Sequence, residues 1–203
     1  MAKNTQNSNT DEQHPNQDRA DRKVVLLMGM GLNGISAEGW ISSKDMIEDL
    51  WSLLENVDTF IIGRVTFQMW EQYWPARAND PSSSDFQKRF SLFTDQIQKI
   101  VFSTTLKSVT WQNSRVINDN ISAEISRIKK LPGKNIVIVG GAGIAQTFSK
   151  LNLIDEYQLF LHSMIFGPGK PLLGVLDTER QLELVDTKEY LPDGIRLHFR
   201  PIK

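Results

Sequence analysis

The sequence predicts an α/β protein: a three-layer α/β/α sandwich whose sheet is mostly parallel and ends in an antiparallel C-terminal hairpin. Three observations support this fold class. Short β-branched apolar runs alternate with amphipathic helical segments from residue 23 to residue 161. A glycine turn at residues 140–143 joins one such run directly to a helix. The last two segments, Gln181–Tyr190 and Ile195–Pro201, alternate as strands do and are joined by the turn sequence LPDG.

The composition indicates a soluble protein outside the nucleic-acid-binding and membrane-spanning classes. Of 203 residues, 40% are hydrophobic and 23% are charged, and the formal net charge is −1, so no basic surface for nucleic acid is predicted. Cysteine is absent, which excludes disulfides and thiolate chemistry. No apolar run approaches the roughly 20 residues of a membrane span, and no secretion signal is evident, so we expect a cytoplasmic protein.

The N-terminal segment differs from the rest of the chain. Residues 1–22 are almost entirely polar and cannot offset their ordering entropy by burial, so they are predicted to form a disordered tail. Residues 23–203 are predicted to form one domain. Its first strand, Lys23–Met28, leads into the run GMGLNG at residues 29–34, which spells G-x-G-x-x-G. Because no helical periodicity follows, this match predicts a loop beside a ligand rather than a Rossmann fingerprint.

Two amphipathic helices are predicted next. Ser42 and Asp45 have the spacing of a capping pair and predict the start of the first helix, which Asp58 closes. The second helix follows a strand at Thr59–Ile62 and is predicted to stop at Pro75, because proline lacks the N–H that a helix interior requires. Their buried faces are predicted at Ile47, Leu50, Trp51 and Leu54 in the first and at Phe67, Trp70 and Trp74 in the second.

The alternation of helix and strand continues through the middle of the chain. The predicted strands are Lys99–Phe102, Val116–Ile117, Asn135–Val139 and Glu156–Ile165. The predicted helices carry apolar stripes at Phe86, Phe90, Phe93 and Ile97, and at Ile121, Ile125, Ile128 and Leu131. Proline and glycine at positions 132 and 133 end the second of these helices.

The glycine turn at residues 140–143 is a candidate binding element. A strand buried on both faces precedes it, and Ile144, Phe148 and Leu151 mark an amphipathic helix after it. Glycine lets a ligand approach the backbone, and the helix start offers unpaired N–H donors and the positive end of its dipole. The turn therefore predicts a pyrophosphate site or, alternatively, a plain turn in which glycine serves packing alone.

Three predicted strand ends share a glycine-rich or hydroxyl-rich character. They are Gly63, Arg64 and Thr66 after one strand, Ser103 and Thr104 after another, and the glycine turn after a third. In an open parallel sheet the carboxyl ends of the strands border the ligand crevice. Backbone N–H groups, one guanidinium and several hydroxyls are what a dinucleotide with an extra phosphate requires.

The order and spacing of these motifs resemble the dihydrofolate reductase superfamily, and most closely the reductase domain of the bacterial riboflavin-biosynthesis deaminase-reductase. The motifs are GLNG (31–34), IIGRVTF (61–67), IVFSTTL (100–106), IVIVGGAGIAQTF (136–148), LIDEYQLFLHSMIFGPGKPLL (153–173) and the closing hairpin. The resemblance implies NADPH as cofactor and hydride transfer to a small-molecule pterin, flavin precursor or related heterocycle. It also implies a homodimer.

The resemblance also implies roles for individual residues. The implied cofactor-binding residues are Gly63, Arg64, Thr66, Ser103, Thr104, Gly140, Gly141, Ala142, Gly143 and Ile144. The implied substrate-binding residues are Leu32, Asn33, Gly34 and Trp40. Arg64 is implied to lie near the 2′-phosphate of NADPH. This chain has the neutral Asn33 where the riboflavin-type reductases usually carry aspartate, and Val139 where they often carry glutamate.

Asp45 is the candidate catalytic residue. With Trp40 it reproduces a Trp-x4-Asp spacing similar to that of the substrate-binding acid in dihydrofolate reductases. Such an acid can assist the protonation that accompanies hydride transfer. Alternatively, Asp45 only completes the capping pair with Ser42. Glu38 and Glu48 are weaker candidates for the same role.

Other chemistries have little support in the sequence. His14, His162 and His198 are scattered, so neither a histidine metal site nor a Ser-His-Asp triad is predicted. The sequence therefore predicts an NADPH-dependent reductase. Two alternatives stay open at this point: a paralogue that binds NADPH without turnover, and a Rossmann-type dehydrogenase.

Overall fold

A single mixed sheet forms the centre of the protein in the computed structural model, which describes residues 22–37 and 43–202. Its strands are β1 (Val24–Gly31), β2 (Ser36–Ala37), β3 (Val57–Gly63), β4 (Gln98–Phe102), β5 (Ser114–Ile117), β6 (Asn135–Val139), β7 (Glu156–His162), β8 (Leu182–Tyr190) and β9 (Gly194–Pro201). They lie in the order β5-β4-β3-β6-β1-β7-β9-β8, and β2 pairs with β1. The strands from β5 to β7 are parallel, whereas β9 is antiparallel to both β7 and β8.

Helices cover both faces of this sheet. They are α1 (Lys44–Leu54), α2 (Arg64–Arg77), α3 (Asp85–Gln96), α4 (Ile121–Lys129) and α5 (Ala142–Lys150). On one face Ile128 of α4 and Phe148 of α5 join the core, and on the other face Leu50, Phe67 and Phe90 join it from α1, α2 and α3. The predicted three-layer sandwich with an antiparallel C-terminal hairpin is therefore confirmed.

Aromatic side chains fix α3 against both α1 and α2. The Trp51 ring of α1 lies edge-on to Phe93 with centroids 5.8 Å apart, and it also contacts Phe90 at 6.2 Å. The Trp70 ring of α2 meets the same Phe90 at 5.7 Å. Such pairs stabilise packing beyond the area they bury. The predicted stripes of these segments thus pack in the core, except that Ile47 is only partly buried. The prediction of Leu131 on the buried face of α4 is wrong, because α4 ends at Lys129 and Leu131 is exposed.

Three further local predictions are wrong. The N-cap of α1 is Ser43, whose Oγ accepts a hydrogen bond from the Met46 backbone N at 3.3 Å, and not the pair of Ser42 with Asp45. Ser42 itself lies outside the described residues. Asp58 does not close α1, because α1 ends at Leu54 and Asp58 belongs to β3. Pro75 does not stop α2, which continues to residue 77. Since Pro75 lies in the last turn, its missing N–H affects only the end of the helix.

Arg22, which the composition assigns to the tail, is instead buried in the domain. Its Nε donates to the Lys134 carbonyl at 2.5 Å and its Nη2 donates to the Thr59 hydroxyl at 2.8 Å. The same guanidinium forms a salt bridge with Asp58. The remaining predicted tail, residues 1–21, lies outside the described part of the chain.

Lys99 is a charged residue in the core beside α3. Its side chain is only 1% exposed, and its Nζ donates to the carbonyls of Thr94 at 2.5 Å and Ile97 at 3.0 Å. The ammonium also lies 4.4 Å from the centre of the Trp111 ring. Burial lowers the pKa of Lys99 to about 8, against the opposing charge of Asp95.

We predict that this lysine makes stability rise with pH in alkaline solution. Its folded-state pKa is about 8 and its ordinary value is 10.5, so between these values the unfolded chain binds more protons than the folded chain. The unfolding free energy of the parent, relative to Lys99→Met, should therefore increase from pH 8 to 10.5 and stay level below pH 8. Urea denaturation across this range measures the difference. Identical pH slopes for the two proteins would contradict the prediction.

Candidate functional site

The predicted cofactor residues meet at the carboxyl edge of the sheet. Strands β3 and β6 are adjacent and parallel, with Ile62 paired with Val139, so their carboxyl ends lie side by side. Helix α2 begins directly after β3 with Gly63 as its N-cap, and α5 begins after β6 with Gly141 as its N-cap. The two helix N-termini therefore open onto the same edge, where parallel α/β sheets bind their ligands.

A close contact sets the two helix starts against each other. Gly140 has a φ of +109°, and a Cβ there would lie 2.9 Å from Thr66 Cγ2 in the first turn of α2. A Cβ on Gly63 would lie 3.5 Å from the Ile144 Cβ in α5. Thr66 and Ile144 are buried at this junction, as is Ala142. Their side chains thus pack between the helices, which leaves backbone groups to face a ligand.

The helices α2 and α5 both start without a side-chain cap on their first N–H groups. Neither Gly63 nor Gly141 provides a side-chain cap, and neither helix has an acidic residue in its first turn. The other helices contrast with them, because α1, α3 and α4 are capped by Ser43, Ser84 and Asn120 and each carries an acidic residue in the first turn. Orphan N–H donors and an uncompensated positive dipole end favour an anionic ligand.

Packing explains the glycine at position 140 but not the glycines after it. Gly141 has a φ of −83°. A Cβ there would make an ordinary contact of 3.5 Å with Thr66 Oγ1, and a Cβ at Gly143 would meet no atom within 4 Å. Alanine could therefore occupy both positions in this fold. Close approach of a ligand to the backbone is the remaining physical reason for glycine there.

Arg64 supplies positive charge at the same edge. It lies in the first turn of α2, exposed to solvent, and its Nη1 donates to Gln68 Oε1 at 3.0 Å. In residues 22–37 and 43–202 it has no carboxylate within ion-pair distance. Its guanidinium is therefore free to pair with a phosphate.

Ser103 and Thr104 follow β4 at the same edge of the sheet. The Ser103 hydroxyl accepts hydrogen bonds from the backbone N–H groups of Thr105 at 3.2 Å and Leu106 at 2.9 Å, so it shapes its own turn. Thr104 is exposed. Of the two predicted hydroxyls, that of Ser103 is used in the turn, and that of Thr104 is the better candidate for a ligand contact.

The predicted substrate-binding residues Leu32, Asn33 and Gly34 form a loop after β1, called the Leu32 loop below, that is hydrogen-bonded to the segment after β7. The Leu32 backbone N donates to the Met164 carbonyl at 2.8 Å, and the Leu172 N donates to the Gly34 carbonyl at 2.8 Å. Asn33 uses both ends of its amide on Phe166: its Nδ2 donates to the Phe166 carbonyl at 2.8 Å, and its Oδ1 accepts from the Phe166 N at 3.4 Å. Asn33 is thus a structural clamp in this arrangement. Trp40 and Glu38 lie outside the described residues.

The G-x-G-x-x-G run does not open a helix. Its second glycine ends β1, and β2 follows at Ser36–Ala37. The Rossmann fingerprint requires a helix at this point, so the dehydrogenase alternative lacks its structural element. This confirms that the match is not a Rossmann fingerprint.

Asp45 lies on a different part of the edge from the glycine turn. It is exposed in the first turn of α1 and, with Glu48, lines an open cleft of about 250 Å³ between α1 and β8. The other lining residues are Asp49, Ser52, Lys188 and Glu189. The cleft brings together the two acidic candidates that the structure describes, and none of the predicted cofactor residues lines it.

Asp49, one helical turn further on, is a buried carboxylate that was not among the site residues predicted from the sequence. Lys188 Nζ donates to it at 2.9 Å, the Tyr190 hydroxyl donates to it, and Arg196 Nε lies 2.8 Å away. Burial would raise the pKa of Asp49, but the hydrogen bonds from Tyr190 and Lys188 and the charge of Arg196 outweigh it and lower that pKa. Its lone pairs are thus already engaged. In the sequence, only the four-residue spacing from Asp45 indicates that Asp49 lies on the same side of the helix. Its partners belong to the C-terminal hairpin and could not be recognised from the sequence around it.

No group of three or more His, Asp or Glu side chains among the described residues could hold a metal ion. Likewise, none of the helices described is long and apolar enough to cross a membrane.

Comparison with known proteins identifies the family. Residues 22–195 match the family described as the RibD C-terminal domain. The chain belongs to this family. It is 33% identical over 175 residues to the uncharacterized protein YyaP of Bacillus subtilis (strain 168), covering 83% of this chain and 89% of YyaP.

Solved structures support the same fold. A putative riboflavin biosynthesis protein from Shewanella sp. PV-4 is similar with a TM-score of 0.69 at 19% identity, covering 89% of this chain and 99% of that one. Dihydrofolate reductase from Enterococcus faecalis, complexed with NADP(H), is similar with a TM-score of 0.59 at 14% identity, covering 89% and 97%. The RibD C-terminal domain assignment and the dihydrofolate-reductase-like fold are therefore confirmed.

We predict that the three glycines of the turn respond differently to alanine. Gly140→Ala should lower the unfolding free energy by about 1 to 3 kcal/mol, because the new Cβ would adopt an unfavourable φ and press on Thr66. Gly141→Ala and Gly143→Ala should stay within about 1 kcal/mol of the parent. Denaturant melts of the three variants measure this ordering. Equal losses at all three positions would show that the turn needs glycine throughout for packing.

Proposed function

We propose that this protein is a reductase that uses NADPH to transfer hydride to a heterocyclic substrate, a pterin, a flavin precursor or a related compound. The observation that carries the proposal is the pair of uncapped helix N-termini that open side by side at the carboxyl edge, next to Arg64, which forms no ion pair with any described carboxylate. Two positive dipole ends and a guanidinium suit a ligand with several phosphates.

The residues present fit NADPH. The glycines at 141 and 143, which packing does not require, leave the start of α5 open for a pyrophosphate. Arg64, in the first turn of α2, suits the 2′-phosphate that distinguishes NADPH from NADH. Thr104 is available for the adenosine end. When bound, NADPH would supply the hydride, and the role of Gly141, Gly143, Arg64 and Thr104 would be to hold it.

The relatives support a reductase and leave its substrate open. The Enterococcus faecalis protein of the same fold is a dihydrofolate reductase complexed with NADP(H). Asp45 is exposed in the cleft, as Glu48 is, whereas Asp49 is engaged by three side chains, and we take Asp45 as the candidate acid for a substrate. The homodimer implied by the family resemblance stays a prediction that analytical ultracentrifugation can test.

The proposal is tested first by cofactor binding. Arg64→Ala should weaken NADPH binding about tenfold, the equivalent of ~1.4 kcal/mol, and should leave NADH binding unchanged, because only NADPH carries the 2′-phosphate. Fluorescence titration of both cofactors measures the two affinities. Arg89→Ala is the matched control. Arg89 belongs to α3, and its guanidinium carbon lies 3.9 Å from the centre of the Trp51 ring of α1, so it is an arginine outside the predicted cofactor site. Equal losses for NADPH and NADH would defeat the assignment of Arg64, and no binding of NADPH by the parent would defeat the proposed function.

Turnover is tested through Asp45. Following NADPH oxidation with dihydrofolate, dihydrobiopterin and ribosylaminopyrimidine acceptors, we expect Asp45→Asn to lose on the order of 10² in rate, as a general acid does. Glu48→Gln removes a neighbouring charge in the same cleft and should keep most of the rate. Full activity in the Asp45 variant would exclude it as the acid. NADPH binding with no oxidation by any acceptor would instead favour a binding paralogue.

A further inference from the structure

His162 occupies an unusual place at the carboxyl edge of the sheet. It is the last residue of β7, and the sheet pairs it with Gly31 of β1 on one side and Gly194 of β9 on the other. Glycine offers no side chain that could bond an imidazole. The Phe166 ring lies beside it, with its centroid 6.1 Å from that of His162.

The imidazole is buried, yet one of its nitrogens has no hydrogen-bond partner among the residues that the structure describes. The residue is 6% exposed, and within the described chain Nε2 makes no hydrogen bond. Burial lowers the pKa of His162, against the opposing charge of Asp193, which favours the neutral ring with one N–H and one lone pair. A buried polar atom without a partner lowers stability, and an apolar side chain of similar size would remove that cost. Its presence calls for an explanation such as a ligand.

The position of His162 agrees with a ligand at the proposed active edge. Alternate residues of a strand share a face, so His162 lies on the same face as Phe160, which belongs to the core under α1. Its neighbour Gly31 begins the Leu32 loop, and Phe166 is the residue that the Asn33 amide clamps. His162 therefore lies between the Leu32 loop and Phe166, on the face of the sheet that α1 covers.

We propose that His162 Nε2 is a substrate-binding atom that hydrogen-bonds the cyclic amide edge, –NH–C=O, shared by pterins and pyrimidine precursors of flavins. A neutral imidazole can donate to the carbonyl or accept from the N–H of such an edge, according to its tautomer. This assignment rests on the proposed reductase function and adds a substrate contact that the sequence motifs do not indicate.

The first test separates a binding role from a structural one. His162→Leu should melt at the parental temperature or higher, because it removes an unsatisfied polar atom, and should bind NADPH within about twofold of the parent. Its kcat/KM for whichever heterocycle the parent reduces should fall about tenfold, mainly through KM. His162→Gln, which keeps a hydrogen-bonding group, should recover part of this loss. His198→Gln is the control, because His198 bonds Glu156 at the opposite end of β7.

The second test needs no turnover. In protein labelled with ¹⁵N-histidine, we expect 2-amino-4-hydroxypyrimidine or dihydrobiopterin to shift the His162 Nε2 resonance and to leave that of His198 unchanged. The His162→Leu variant assigns the signal. An unmoved His162 resonance with both probes, or an unchanged kcat/KM in the leucine variant, overturns the proposal. If NADPH fails to bind, the proposed function falls, and the pyrimidine titration without cofactor still decides on His162.

Discussion

The contact between Gly140 and Thr66 determines the geometry of the candidate site. Because β3 and β6 are adjacent and in register, the helices that follow them must start side by side. Only a residue without a Cβ at position 140 lets the first turn of α2 approach this closely. Two positive dipole ends then face the same solvent region with no acidic residue in either first turn to balance them. A bound polyanion would relieve this repulsion, which links a packing constraint to a binding property.

A second constraint is the hydrogen-bond network that joins α1 to the C-terminal hairpin. The carboxylate of Asp49 on α1 is bonded by Lys188 and Tyr190 from β8 and approached by Arg196 from β9. This network ties the C-terminal hairpin to α1, so the cleft beside Asp45 keeps its shape. Removing one of these side chains would leave a buried charge without its partner. The resulting loss of folding stability is larger than the net stabilisation that the intact ion pair provides. The network is therefore a reason for the hairpin and α1 to behave as one unit.

The fold could be predicted from sequence because its signals are local. The strand Asn135–Val139 has the predicted bounds, since its apolar run ends abruptly at glycine. The cap of α1 is off by one residue because Ser42 and Ser43 are adjacent and chemically equivalent, and only backbone geometry separates them. The environments of Asp49 and His162 could not be predicted, because each includes a residue more than 130 positions away in sequence, Tyr190 for Asp49 and Gly31 for His162.

Asn33 shows how such a distant contact changes the meaning of a motif. The riboflavin-type reductases that the motif resembles usually carry aspartate at this position, and a carboxylate can only accept hydrogen bonds. Here the amide both donates to the Phe166 carbonyl and accepts from the Phe166 N. With aspartate in its place, a carboxylate oxygen would face the Phe166 carbonyl oxygen, and neither oxygen can donate a hydrogen bond. The side chain that the motif assigns to substrate is thus committed to holding the loop. Under the proposed function, substrate recognition would then depend on other groups of the same edge, and the substrate need not be that of the riboflavin-type enzymes.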